Sequence, residues 1–104
     1  MKVKWFPEAL LTLRQTAKYI RKNFGEKSSN TFLQDIFKYE KLLLHNPKIG
    51  PRERYLENTK LEYRSIVVKP YNKIVYLINS NTIEIVAIWD CRREPDAQAR
   101  SLQY

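Results

Sequence analysis

Apolar positions recur along this chain with two different periods. Leu10, Leu13, Ala17, Ile20 and Phe24 follow one another at steps of three and four, the spacing of one face of an α-helix. Arg14, Lys18, Arg21 and Lys22 occupy the opposite face. Pro7 stands where a helix takes its first residue, with Glu8 in the first turn. Gly25 suits the position that ends it. A second helix carries a wider apolar face of Phe32, Leu33, Ile36, Phe37, Tyr39, Leu43 and Leu44. Ser28, Ser29 and Asn30 offer N-caps for it, and Pro47 stops it just after His45 and Asn46. The link is so short that the two helices should form an antiparallel hairpin across one face of a sheet.

The period then changes. Ile66–Val68, Ile74–Ile78 and Ile83–Ile88 are rich in β-branched and aromatic residues, which suit a pleated, packed surface. Lys69–Asn72 and Asn79–Thr82 separate them with turn-forming proline, asparagine and serine. Three strands joined by two short turns predict an antiparallel meander. Val3–Phe6 alternates apolar and charged residues before the helices and reads as an edge strand. Residues 47–60, with two prolines, a glycine and alternating charges, read as a loop with one helical turn near Arg54–Leu56. The predicted class is α+β: an N-terminal helical hairpin on a three- to four-stranded antiparallel sheet. A single domain over residues 1–95 and a polar tail over 96–104 complete the reading.

Composition narrows the partners. Nineteen Lys+Arg against eleven Asp+Glu give 104 residues a net charge of +8, which favours an acidic protein, a nucleic acid or an anionic membrane as partner. One cysteine, Cys91, excludes an internal disulfide and fits a reducing compartment. No apolar run approaches the ~20 residues of a membrane span, and the N-terminus lacks the pattern of a signal peptide. A cytoplasmic location without membrane attachment is the expectation. One histidine and one cysteine cannot make a zinc site, so no metal or other cofactor is expected.

Residues Leu43–Gly50, the Tyr63-Arg64 pair opening a strand, the stretch from Tyr71 to Tyr76 and the basic end of the last strand occur in a familiar order and spacing. Together they resemble the ParE/RelE superfamily of toxins from type II toxin–antitoxin systems, closer to the ParE-like, plasmid-stabilisation branch. The resemblance runs from Val3 to about Pro95. It implies a growth-inhibiting toxin with an acidic antitoxin as partner, in a heterodimer or heterotetramer. A disordered antitoxin segment would fold over the toxin, and operator DNA would be met only through the antitoxin. It implies one of two targets: DNA gyrase, inhibited by binding, or ribosome-bound mRNA, cut by an endoribonuclease of RelE type that needs no metal. A basic nucleic-acid-binding domain without toxicity is the reading outside the family.

For a nuclease, the candidates are Arg64, Arg92, Lys60 and Tyr76. Cations must surround a phosphate that gains charge in the transition state, and arginine binds phosphate oxygens with a planar fork. The plainer reading pairs Arg64 with Glu62 or Glu84 on a solvated face. For target binding, the candidates are Arg52, Arg54, Arg64, Arg92 and Arg93. Strand alternation sends Arg92 and Arg93 to opposite faces, so at most one points toward Arg64. The resemblance favours Arg92, and a β-bulge would swap the two. Asp90 beside two arginines should have a depressed pKa, which suits a salt bridge to Arg64 or Arg92 better than a general base. Tyr76, in a middle strand, reads first as core, although clustered cations would lower its pKa and that of Lys60. Trp5 and Trp89 read as core, His45 as a helix end, and Cys91 as an ordinary thiol. With no histidine in the sheet, the sequence favours binding over cutting.

Overall fold

The computed structural model describes residues 1–69, 71–93, 95–100 and 102. Pro70 of the first predicted turn, and Ser101, Gln103 and Tyr104 of the predicted tail, lie outside the described residues. The order is β1 (Lys2–Trp5), α1 (Pro7–Phe24), α2 (Glu26–His45), a 3-10 turn at Arg54–Leu56, β2 (Arg64–Val68), β3 (Asn72–Asn79), β4 (Thr82–Asp90) and α3 (Pro95–Arg100). The class is the expected α+β, with two N-terminal helices on a four-stranded sheet ordered β1-β4-β3-β2.

β2, β3 and β4 form the predicted antiparallel meander. β1 joins at the β4 edge, but parallel, with Lys2 opposite Thr82 and Trp5 opposite Ile85. The helical hairpin between β1 and the meander gives the chain the length to return and lay β1 alongside β4 in the same direction.

The hairpin turns on one residue. Gly25 ends α1 with its N–H on the Arg21 carbonyl and also precedes α2. Its φ of +96° is conformational space that glycine enters without a Cβ clash. The second helix therefore starts at Glu26, earlier than the predicted caps, and Ser28 and Ser29 are helical. Ser29 Oγ instead donates to the Ala17 carbonyl across the hairpin, at 2.8 Å. Ala9, Leu13, Phe32, Ile36 and Leu43 are buried, packed with Val68, Ile74, Tyr76, Ile83, Ile85 and Ile88 of the sheet. Phe24 and Phe37, assigned to the apolar stripes by spacing, are 67% and 50% exposed.

The alternation in β4 breaks at Val86. Tyr76 pairs with Ile85 while Val75 pairs with Ala87, so Val86 is an extra residue, the count of a β-bulge. Ile83, Ile85 and Ile88 therefore all face the helices. Val86 and Trp89 face the other side, in a second cluster with Leu56, Tyr63, Val75 and Ala99. Ile85 and Ile88 thus share the face that unbroken alternation would have split between them. Both faces of the sheet are covered, one by α1 and α2, the other by the 3-10 turn and α3.

Candidate functional site

The predicted cationic residues fall into two separate groups. Arg64 opens β2 opposite Tyr76. Asp90 ends β4 opposite Asn72, and Arg92 and Arg93 follow in the turn beyond the strand. Tyr76 and Asn72 are four β3 positions apart, so the two groups are separated by about 13 Å along the strand. The expectation that Arg92 and Arg93 belong to the last strand is corrected here: β4 stops at Asp90, and alternation does not govern them. The Arg93 N–H bonds the Asp90 carbonyl, and its side chain is exposed.

Arg64 and Tyr76 build the first group. Ile66 and Val68 pack with the helices, and alternation places Arg64 on that same face. Its side chain is 15% exposed. Nη1 donates to the Gly50 carbonyl at 2.8 Å and reaches the Lys48 carbonyl at 3.5 Å, while Nη2 lies 3.6 Å from Glu62. Tyr76 is fully buried. Its hydroxyl donates to the Pro47 carbonyl at 2.7 Å and accepts from the Gly50 N–H at 3.0 Å. Gly50 is required by space: a Cβ there would meet the Ser65 carbonyl oxygen at 2.5 Å and the Tyr76 hydroxyl at 2.8 Å. The sequence expected clustered cations to lower the Tyr76 pKa. Burial instead raises it, outweighing the Gly50 N–H and the nearby Arg64 charge. Lys60 is exposed in the loop and makes no ion pair among the described residues.

The second group is an Asp90–Arg92 fork. Arg92 Nε and Nη2 donate to the two Asp90 oxygens at 3.1 and 3.0 Å, and the Arg92 N–H adds a bond of 2.9 Å. These bonds from Arg92 hold the Asp90 carboxyl below its ordinary pKa and the guanidinium above its own. Of the two salt bridges the sequence allowed, the one to Arg92 forms. The guanidinium also lies 4.4 Å from the centre of the Tyr71 ring, a cation–π contact. The fork borders a cleft of about 760 Å³ between the helical hairpin and the end of the sheet. Tyr19 and Phe24 line its other wall, edge to face at 6.4 Å.

Arg52 pairs loosely with Glu62, and Arg54 lies over the Tyr55 ring at 4.9 Å. His45 sits at the helix end as expected, its Nδ1 2.9 Å from the Lys41 carbonyl. Trp89 is core; Trp5 is half-buried and donates to Glu40 at 3.3 Å.

Sequence reasoning missed Glu53, which had merged into the alternating charges of the loop. It is 2% exposed and accepts from Lys73 at 2.7 Å, Ser65 at 2.9 Å and the Tyr55 N–H at 2.8 Å. Burial alone would raise its pKa, but these donors together hold it below the ordinary value. Lys73 also lies between the Tyr55 and Trp89 rings, at 5.9 and 5.8 Å. This pair pins the loop to the sheet face opposite the helices. Gln98 was missed too: its amide donates to the Asp90 carbonyl and accepts from the Asp90 N–H, as a neighbouring strand would.

The order of elements and the two covered sheet faces define a small α+β fold with a helical hairpin on a four-stranded sheet. The ParE toxin of type II toxin–antitoxin system family (parDE) matches residues 3–95, and the chain belongs to that family. Two solved structures share the fold. A chain of the chromosomal ParDE TA system from P. aeruginosa superposes with a TM-score of 0.71 at 18% identity, over 86% of this chain and 95% of that one. The YoeB dimer from Staphylococcus aureus superposes at 0.54 and 21% identity, over 84% and 92%. A search of curated proteins finds no significant match. Among the described residues, no helix is long and apolar enough to cross a membrane.

Proposed function

We propose that this ParE-family toxin arrests growth by binding a protein target, DNA gyrase, and not by cutting RNA. The observation that carries this reading is the state of the candidate acid–base groups. Cleavage at a 2′-hydroxyl needs one group to take a proton and another to return it, each with a pKa drawn toward neutrality. Tyr76 is shifted the other way, and both of its hydroxyl bonds are spent on the loop at 47–50. Asp90 is locked as an anion by Arg92. Arg64 and Arg92 lie too far apart to hold one phosphate between them.

The same reading includes an acidic antitoxin, the partner that the ParDE likeness and the +8 charge support. The cleft between the hairpin and Arg92 suits a partner helix or strand with apolar anchors and carboxylates: Tyr19, Phe24 and Tyr71 are about half exposed or more, and Arg92 and Arg93 stand at its rim. Expression alone should arrest growth, and co-expression with the neighbouring short reading frame should restore it.

The test of mechanism is to induce the chain in cells and map mRNA 5′ ends alongside gyrase supercoiling. Accumulated gyrase–DNA complexes with intact mRNA are expected. Codon-positioned cuts that vanish in Arg64→Ala or Arg92→Ala, with supercoiling unaffected, would establish the RelE-type nuclease instead. A chain that binds nucleic acid with steep salt dependence and never slows growth would be a plain binding domain.

A further inference from the structure

Two arginines face each other at the β2 edge of the sheet. Arg52 and Arg64 form an isolated antiparallel bridge, so their side chains leave the same face as direct cross-strand neighbours, with Cβ atoms about 5 Å apart. Like charges in that position repel. Between them stands one carboxylate, Glu62: Arg52 Nε is 3.8 Å from its Oε1, and Arg64 Nη2 is 3.6 Å from its Oε2. Both distances exceed hydrogen-bond length. Glu62 is 53% exposed and Arg52 56%. The two positive charges are thus answered by an anion that coordinates neither of them.

The frame behind the pair is fixed. The Ser65 N–H bonds the Pro51 carbonyl at 3.0 Å, and the Glu53 N–H bonds the Tyr63 carbonyl at 2.8 Å, on either side of Arg52. Glu53 is itself anchored to Ser65 and Lys73 on the opposite face. The Arg64 guanidinium is held from behind by the Gly50 carbonyl. Its Nε is buried and has no hydrogen-bond partner among the described residues. A receptor of this kind loses less freedom on binding, because its backbone frame and the Arg64 guanidinium are already held in place.

We propose that Arg52 and Arg64 form a binding site for a phosphate-type oxyanion, and that Glu62 is a placeholder the ligand displaces. A tetrahedral phosphate presents several oxygens, enough to meet the Arg52 fork and the Arg64 Nη2 together, where one carboxylate leaves both at salt-bridge range. The ligand is either a free phosphate monoester or a phosphodiester of a nucleic-acid backbone. The site stands apart from the gyrase reading, which it neither requires nor supports.

The test is titration of the full chain with inorganic phosphate, following the arginine Nε–H signals by NMR. A saturable shift of the Arg52 and Arg64 signals is expected. Glu62→Gln should tighten binding about threefold, the scale of one exposed ion pair. Arg52→Ala should weaken it about tenfold, the scale of a lost charge-assisted bond. Arg64 is left unchanged because it also holds the loop, and an unaltered melting temperature verifies that each variant is folded. Lys38→Ala, on the exposed face of α2, should change nothing. The proposal fails if Glu62→Gln binds no tighter than wild type. It also fails if Lys38→Ala weakens binding as much as Arg52→Ala, for the net charge alone then accounts for it. A parallel titration with a short thymidine oligomer separates the sources: tighter binding than phosphate, with the same ranking of variants, assigns a backbone, and weaker binding assigns a free monoester.

Discussion

Arg64 and Tyr76 face each other across β2 and β3, and both side chains end on the loop at residues 47–50. Two residues that first suggest RNA chemistry are thereby the clasp of a loop. The Tyr76 hydroxyl satisfies one carbonyl and one N–H in the interior, where an unpaired polar group is costly.

Tyr76→Phe should keep the ring packing and orphan the Gly50 N–H and the Pro47 carbonyl. A loss of about 2–4 kcal/mol is expected, at 1–3 kcal/mol per unsatisfied buried group. Gly50→Ala should be comparably damaging through overpacking, by about 2–3 kcal/mol. Urea denaturation measures both. A Tyr76→Phe variant as stable as the parent would mean that the loop does not depend on the hydroxyl.

Arg64→Ala should lower stability by about 1.5–3 kcal/mol, the range for hydrogen bonds from a charged donor. Any loss of toxicity in this variant should therefore track its melting temperature. Lysine offers one donor for the Gly50 carbonyl, so Arg64→Lys should recover part of the stability. A toxin that is inactive yet fully stable with alanine there would restore Arg64 to a direct role at the target.

The Glu53–Lys73 pair sets the acid limit of the fold. The Glu53 pKa is depressed in the folded chain below its ordinary value of 4.5. Its contribution is therefore fully present above that value and is lost as pH falls through the lower folded pKa. Glu53→Gln should destabilise by about 3 kcal/mol at neutral pH, since it leaves Lys73 without its partner. It should also flatten the decline on the acid side. Melting curves of both proteins between neutral and strongly acid pH should converge as the pH drops; parallel curves would show that Glu53 does not control the acid limit.

Deleting Val86 should leave a folded chain. Removal of the extra residue makes the ladder regular, with Ile85 still opposite Tyr76, Ala87 opposite Val75 and Trp89 opposite Lys73, so Ile88 keeps facing the helices and Trp89 the second cluster. The far-ultraviolet spectrum of the deletion variant should remain that of a folded chain, with a loss of about 1.5–3 kcal/mol for the missing buried side chain; a disordered spectrum would show that the bulge itself is required. Val86→Ala keeps the residue count and should fold, with a modest loss.

Arg92→Ala should change the melting temperature little, because the guanidinium is exposed and, among the described residues, its contacts are surface ones, to the near neighbour Asp90 and the half-exposed Tyr71 ring. Calorimetric titration with the antitoxin should show binding weakened about tenfold, as for a charge-assisted contact at an interface. Unaltered affinity would move the antitoxin away from this rim of the cleft.

The sequence by itself determined the elements and their order. A period of 3.6 over residues 7–45 and a period near 2 over residues 64–90 depend only on neighbours along the chain, and so does the single-residue hinge at Gly25. Even the helical turn at Arg54–Leu56 could be read locally. The partners of polar groups could not, because they depend on segments that meet only after folding. Glu53 looks like its flanking arginines until Ser65 and Lys73 close around it. Tyr76 is core from its pattern alone, but its hydroxyl acquires a task only when residues 47–50 return over β3. The extra residue at Val86 is invisible in a run of apolar side chains, since every member of the run is apolar on either face. The parallel docking of β1 was equally hidden, for an edge strand's direction is set by the path of the chain and not by its alternation. Above all, tertiary structure decided which cations stand together. Arg92 and Arg64, the pair chosen from sequence, lie at different ends of the sheet, while Arg52 and Arg64 are brought face to face by a bridge of one residue pair.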